Sequence, residues 1–393
     1  MLILASDSEP TADLERLRRH AGALESSARA HYHRSALAAC ADCYLELERV
    51  ACALDDETTV LRARFWYATA LHGLGRHEEA LIAMEHALRA GPHEIDEPSV
   101  YLLWTRALRA EIELPRPLAQ IDATVRAIER ELHERGIRNR RSRLLLNHAR
   151  LALSRGQLPE AIEVAEEALA CHKGESHTYA LGAHYWPLVA ACTWAGELAR
   201  ARRHLEEWQK GGEGSRTSAV FLTCRQAELE RRAGRLERAL AVARDAWAHA
   251  LATDEHQLHI FSGHALVQAQ LALGRIAQAR GVLAWLLRHR HCEFGEHAHV
   301  QRLLVADLAL AEARRLGGLR ALDADFGREH ARPLGARDPG RALLALERAR
   351  RLYDRTETRG RALDELLDCR FRSYGLAARR ALVSRTHHEL VRL

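Results

Sequence analysis

A period of about forty residues constrains this 393-residue chain more than anything else in it. Gly75, Gly156, Gly196, Gly234 and Gly274 are each followed, five positions on, by an alanine: Ala80, Ala161, Ala201, Ala239 and Ala279. Further along stands a second small or apolar residue in each case: Ala87, Ala168, Trp208, Ala246 and Leu286. The glycines are separated by 81 (75 to 156), 40 (156 to 196), 38 (196 to 234) and 40 (234 to 274) residues. The first gap spans two periods, and Tyr101 to Leu114 with Leu118 to Leu132 fill it as a helix pair joined through Pro115 and Pro117. Repetition at this length means stacked supersecondary units that bury their apolar faces against one another. Glycine permits the positive dihedral of a tight turn after one helix, and the alanine lets the next helix lie close to it. Few prolines, few phenylalanines and abundant Ala, Leu, Arg and Glu favour helix, and no strand pattern stands out, so the expected class is all-α.

One unit is complete enough to carry a family likeness. Within Arg62 to Pro92, the residues Ala68, Leu71, Gly75, Ala80, Ala87 and Pro92 resemble a full tetratricopeptide repeat. The other units keep the small residue of the first helix (Ala149, Ala227), the turn glycine and the alanine after it. Their longer period is similar to that of extended repeats in bacterial regulatory proteins. The resemblance covers roughly residues 60 to 290 and implies a right-handed superhelical solenoid of helix-turn-helix repeats. Four segments are expected: 1–57, a degenerate helix pair (Thr11 to Ala53) capping the array; 58–316, the repeats; 317–340, an irregular linker; and 341–393, C-terminal helices. In the last segment, Ala342, Leu343, Leu346, Ala349 and Leu352 mark one helix. A second helix is expected from about Thr358, with Leu363, Leu366, Leu367, Phe371 and Tyr374 at helical spacing.

In such arrays the first helix of each repeat lines a concave groove, and the resemblance carries the lining positions over. They are Arg62, Phe65, Thr69 and His72; Arg143, Leu146 and Arg150; Trp186 and Trp194; Phe221, Glu228, Arg231 and Arg232; Phe261, His264 and Gln268. Pro187 beside Trp186 either kinks its helix or marks its start. A lining of aromatics and arginine has the composition of a binding hot spot. It implies a non-catalytic scaffold for a protein partner or peptide. The alternative is a sensory module of a signalling system, coupled through the C-terminal helix to an output domain or a second copy.

Charge and chemistry narrow the partner further. The net charge of +5 is interleaved with Glu and Asp at helical spacing, and lysine occurs only at Lys173 and Lys210. Arg135, Arg138, Arg140, Arg141 and Arg143 crowd the start of a helix, which suits an acidic partner. No aromatics interleave with that patch, which argues against nucleic acid. Eight scattered cysteines read as free thiols, and no apolar run is long enough for a membrane span, so the expected location is the cytoplasm. Cys40-x-x-Cys43 has zinc-like spacing but no second pair. The segment His289 to Glu293 with His297 and His299 is the denser ligand cluster, without the paired spacing of a metallohydrolase. Gly211 to Ser215 lacks the lysine and preceding strand of a phosphate loop. No cofactor and no enzymatic activity are expected.

Overall fold

The computed structural model describes residues 9–89, 118–134, 142–174, 181–211, 216–289, 296–323, 328–333, 338–363 and 376–392. They hold sixteen helices and one two-stranded sheet. The helices are α1 (Glu9–His33), α2 (Leu37–Ala53), α3 (Glu57–Gly73), α4 (His77–Arg89), α5 (Leu118–Glu134), α6 (Ser142–Ser154), α7 (Leu158–Gly174) and α8 (Leu181–Ala195). They continue as α9 (Leu198–Lys210), α10 (Arg216–Arg232), α11 (Leu236–Ala250), α12 (His256–Ala272), α13 (Ile276–Arg288) and α14 (Glu296–Leu316). Strands β1 (Arg320–Asp323) and β2 (Arg328–Pro333) follow, then α15 (Pro339–Leu363) and α16 (Leu376–Val391).

The chain divides into two compact units, Met1–Ala110 with Thr253–Glu255, and Glu111–Ala252 with His256–Leu393. In the first, α1, α2 and α3 close on a core of Ala28, Cys40, Ala41, Tyr44, Leu47, Ala63 and Ala70. Trp66 stacks on Tyr44 and meets the edge of Tyr32. The residue before α2, Ala36, has no side chain to cap it. Asp254 does so instead, accepting the Leu37 N–H at 2.6 Å and the Ala38 N–H at 2.9 Å. The first unit thus joins the expected cap to α3 and α4, rather than ending at residue 57.

In the second unit the inner helices α6, α8, α10, α12 and α14 each pack against the next, with α7, α9, α11 and α13 laid against them. The two sets differ in pattern for a physical reason. The outer helices bury one stripe, such as Ala201, Leu205 and Trp208 of α9 or Ile276, Ala279, Leu283 and Leu286 of α13. Helix α12 touches α10, α11, α13, α14 and β1, and is buried almost all round. All five alanines after the turn glycines are buried, as close helix approach requires.

The turns repeat one geometry. Gly75, Gly156, Gly196, Gly234 and Gly274 have φ between 71° and 84°. At each, the glycine N–H donates to the carbonyl three residues back and the next N–H to the carbonyl five back, as in Gly234 to Arg231 and Arg235 to Glu230. This is the Schellman closure of a helix C-terminus. Ser35 (φ 55°) and Asp55 (φ 51°) make the same bonds after α1 and α2, so the first helices are closed as the later repeats are. Pro187 lies inside α8, and the helix runs through it to Ala195.

Two expectations about the C-terminal part need correction. Residues 317–340 are not wholly irregular, because β1 and β2 pair antiparallel, with Leu322 opposite Glu329 and Asp323 opposite Arg328. Half of their residues are charged and they lack alternation, which hid them. What holds them is the backbone pairing, Ala321 buried in the core with Ile260 and Leu304, and the Arg314 Nε donating to the Arg320 carbonyl at 2.7 Å. Beyond the hairpin, the Asp338 N–H reaches the Leu316 carbonyl at 2.7 Å, while the Asp338 carboxylate caps α15 at Arg341 N. Helix α15 then runs unbroken past Thr358, where a new helix had been expected; no proline interrupts it. Leu366, Leu367, Phe371 and Tyr374 lie outside the described residues.

Helix α16 is packed rather than projecting. Leu382, Val383 and Leu390 join Leu303, Leu310, Ala342, Leu346 and Tyr353 in one cluster. Two buried arginines fasten it. Arg379 grips Asp307 of α14 through two bonds of 2.7 and 2.8 Å, and Arg314 of α14 donates to Thr386 and Glu389.

Candidate protein-binding face

The lining positions separate by burial. In the first unit Phe65, Thr69 and His72 are buried; the Thr69 hydroxyl donates to the Phe65 carbonyl, and His72 faces His77 across 3.0 Å. Arg62 is exposed and pairs with Glu25. In the second unit Leu146, Arg231 and Gln268 are buried, so a ligand does not touch them without repacking. Arg143, Arg150, Trp186, Trp194, Phe221, Glu228, Arg232, Phe261 and His264 are half-buried. The repeat alignment places both kinds at equivalent positions; contact with neighbouring helices decides which remain accessible.

The accessible set converges on the seam of α8, α10 and α12. Trp186, Phe221 and Phe261 meet edge to face, with ring centroids 6.5, 5.7 and 5.5 Å apart. The Arg225 guanidinium lies 4.5 Å from the centre of the Trp186 ring, and that of Arg150 lies 6.0 Å from it. Arg225 forms an ion pair with Glu228, whose other oxygen accepts the Trp194 indole N–H at 2.8 Å. The Trp186 indole nitrogen is buried with no hydrogen-bond partner. Arg225 is absent from the aligned lining positions. Its signal was helical spacing, four residues after Phe221 and three before Glu228 on one face of α10.

Glu230, next along α10, is structural. Burial pushes its carboxyl up, but hydrogen bonding and charge from Arg235, aided by Arg238 and Arg202, more than offset that and hold it below the usual carboxylate range. The opening between α15 and α16, of about 740 Å³, has charges already engaged with one another: Arg380 and Arg350 both face Asp354.

The other candidates are less assembled. Arg135, Arg138, Arg140 and Arg141 lie outside the described residues, as does most of the histidine cluster; His289 stacks on Trp285. Burial pushes the Cys40 thiol up to about 12, and Cys43 contacts the Ser27 hydroxyl. Residues 212–215 of the glycine-rich stretch lie outside the described set. Among the described residues no three His, Cys, Asp or Glu side chains gather to hold a metal, and no helix is long and apolar enough to cross a membrane.

No protein-family model matches the chain, and no curated protein matches it in sequence. Solved structures do. A Rap protein complexed with competence and sporulation factor is similar at a TM-score of 0.52 and 12% identity, over 96% of this chain and 99% of that one. A tetratricopeptide repeat protein from Parabacteroides merdae aligns at a TM-score of 0.33 and 11% identity, over 90% and 99% of the two chains. Yeast Tom70 aligns at 0.28 and 8%, over 94% and 97%. The last two scores are too low to carry argument, and the first speaks to fold alone. Together with the recurring glycine turn and the inner and outer helix sets, it identifies the fold as that of tetratricopeptide-like helical repeat proteins.

Proposed function

We propose that this chain is a non-catalytic scaffold that holds a protein segment or peptide of acidic character along α6, α8, α10 and α12. The observation that carries this reading is the half-exposed cluster of Trp186, Phe221 and Phe261 beside Arg150 and Arg225. Large rings next to cations at a surface are the material of binding hot spots. The similar Rap protein was solved in complex with competence and sporulation factor, which agrees with ligand capture by this fold. The free cysteines, several of them buried, accord with a reducing, cytoplasmic setting.

The test is retention of a randomised synthetic hexapeptide pool on the immobilised chain, read by mass spectrometry. Trp186→Ala with Phe261→Ala should lower retention about tenfold while the far-ultraviolet circular dichroism is unchanged. Equal retention by both forms would move binding away from this face.

The regulatory reading has its own support. Gln268 of α12 donates to Asp307 at 2.6 Å, and Asp307 also holds Tyr353 of α15 and Arg379 of α16. A ligand that shifts α12 would thereby act on α16. Amide exchange across 376–391 that stays the same with and without retained peptide would remove this second reading.

A further inference from the structure

We infer that the outer side of α15 and α16 is a docking surface for an anionic membrane, at which exposed arginines meet lipid phosphates and Leu344 and Val391 enter the acyl boundary. It lies on helices other than those of the peptide-binding face, so the two readings stand or fall separately.

Three observations meet here. The first is charge. The sequences of α15 and α16 hold ten arginines against four acidic residues, an excess larger than the +5 of the entire chain. Arg341, Leu344, Arg348, Arg351 and Arg355 follow at steps of three and four residues, and all five are exposed on one face of α15. Ion pairs absorb only part of the excess. Asp354 is shared by Arg350 and Arg380, and Arg348 and Arg355 form no ion pair among the described residues.

The second is exposure. Leu344 is 74% exposed and Val391 64%, while the other exposed large apolar side chains among the described residues lie between 40% and 49%. The third is position. The Leu390 Cδ2 stands 2.2 Å from where a Cβ would sit on Gly317, and the neighbouring Leu316 carbonyl takes the Asp338 N–H just before α15 begins. The end of α16 therefore lies at the start of α15, and the two helices run in opposite directions. Counting from the Arg380–Asp354 ion pair, Leu344 is ten residues back along α15 and Val391 eleven residues on along α16. At the rise of a helix these are about 15 and 16 Å. The two aliphatic tips thus stand at one level, with Arg341 and Arg348 flanking the first and the exposed Arg392 following the second.

The residue types select the occupant. A second copy would bring the same arginines and be repelled. Nucleic-acid and protein interfaces draw on exposed rings for stacking or anchoring. Neither helix has a Trp or Phe, and their one tyrosine, Tyr353, is buried. A guanidinium pairs with phosphate through its planar fork, and bare aliphatic tips among cations match the headgroup and acyl layers of a bilayer surface. Few apolar contacts suffice where cationic side chains add to them, and no spanning helix is needed.

The experiment is sedimentation of the full chain with vesicles of phosphatidylcholine alone or with about 30 mol % phosphatidylglycerol, at about 0.1 M sodium chloride. About fivefold more protein should sediment with the anionic vesicles. Leu344→Gln with Val391→Gln, and Arg348→Glu with Arg355→Glu, should each lower that fraction about fivefold. All four positions are exposed, and an unchanged far-ultraviolet circular dichroism marks a folded variant. Arg18→Glu with Arg19→Glu makes the same change of charge at exposed positions of α1 and should leave the fraction within about twofold. Equal loss in the α1 variant means adsorption of a basic chain in general and overturns the surface. Loss with the arginine pair but not with the aliphatic pair means attraction to any polyanion, such as a nucleic acid or an acidic protein, and overturns the lipid assignment. No sedimentation with either vesicle overturns the proposal outright and leaves peptide binding standing.

Discussion

At the scale of the residue, the turns are fixed by backbone handedness. Gly234 has φ 79° and no neighbouring atom within 4 Å of where a Cβ would sit, so Gly234→Ala costs the left-handed strain alone. Loss of about 1–2 kcal/mol in urea unfolding is expected. Asp55→Gly, at the same position of an earlier turn, should change stability by less than about 1 kcal/mol, since relief of strain is offset by the freer unfolded chain. Comparable losses at both positions would contradict this account. The glycine turns were therefore legible in the sequence, while Ser35 and Asp55 were not, because nothing in their side chains announces a positive dihedral. Glu230 supplies a pH signature. Its folded carboxyl titrates below the ordinary 4.5, so the stabilisation is present above that value and is lost as pH falls through the lower, folded one. Arg235→Gln should accordingly cost stability at pH 7, with a deficit that shrinks as the pH falls below 4.5 and the wild-type carboxylate is protonated, measured by urea midpoints across a pH series. A variant as stable as wild type at pH 7 would mean that Glu230 owes nothing to Arg235.

At the scale of the element, α16 is held by buried charge as much as by apolar contact. Asp307 has four hydrogen bonds from Gln268, Tyr353 and Arg379, and none of these could be read from residues 39 to 72 positions apart. Gln268 itself was legible as a lining position, but its burial against α14 was not, since that depends on which helix stacks next. Asp307→Ala strands the Arg379 guanidinium in the core and should cost about 3–5 kcal/mol, with amide protection lost first across 376–391. Uniform loss of protection throughout the second unit would show that α16 is no separate cooperative element. Self-association through α16, an expectation from its sequence, now has less apolar surface to draw on. Leu382, Val383 and Leu390 are committed inside, which among the described residues of α15 and α16 leaves Leu344 and Val391 as the large exposed apolar side chains.

At the scale of the whole molecule, the fold class was readable because one short pattern recurs, and each recurrence strengthens the others. The proposed binding face was readable only in part. Trp186, Phe221 and Phe261 came from repeat alignment, but Arg225 stands between aligned positions and is brought to Trp186 by the packing of α10 on α8. On the proposed reading, a chain of formal charge +5 should bind acidic peptides less tightly as salt rises. Retention of the acidic members of the hexapeptide pool should fall several-fold from about 0.05 to 0.5 M sodium chloride, over which the screening length drops from roughly 14 to 4 Å. Retention indifferent to salt would assign the affinity to the rings alone. The hairpin between α14 and α15 has a different implication. Because the Asp338 amide returns to the Leu316 carbonyl, the two ends of the intervening stretch are tied together, and α14 meets α15 as it would across a short turn. Length between these two helices is therefore taken up at a single tied point while α14 and α15 stay packed on each other.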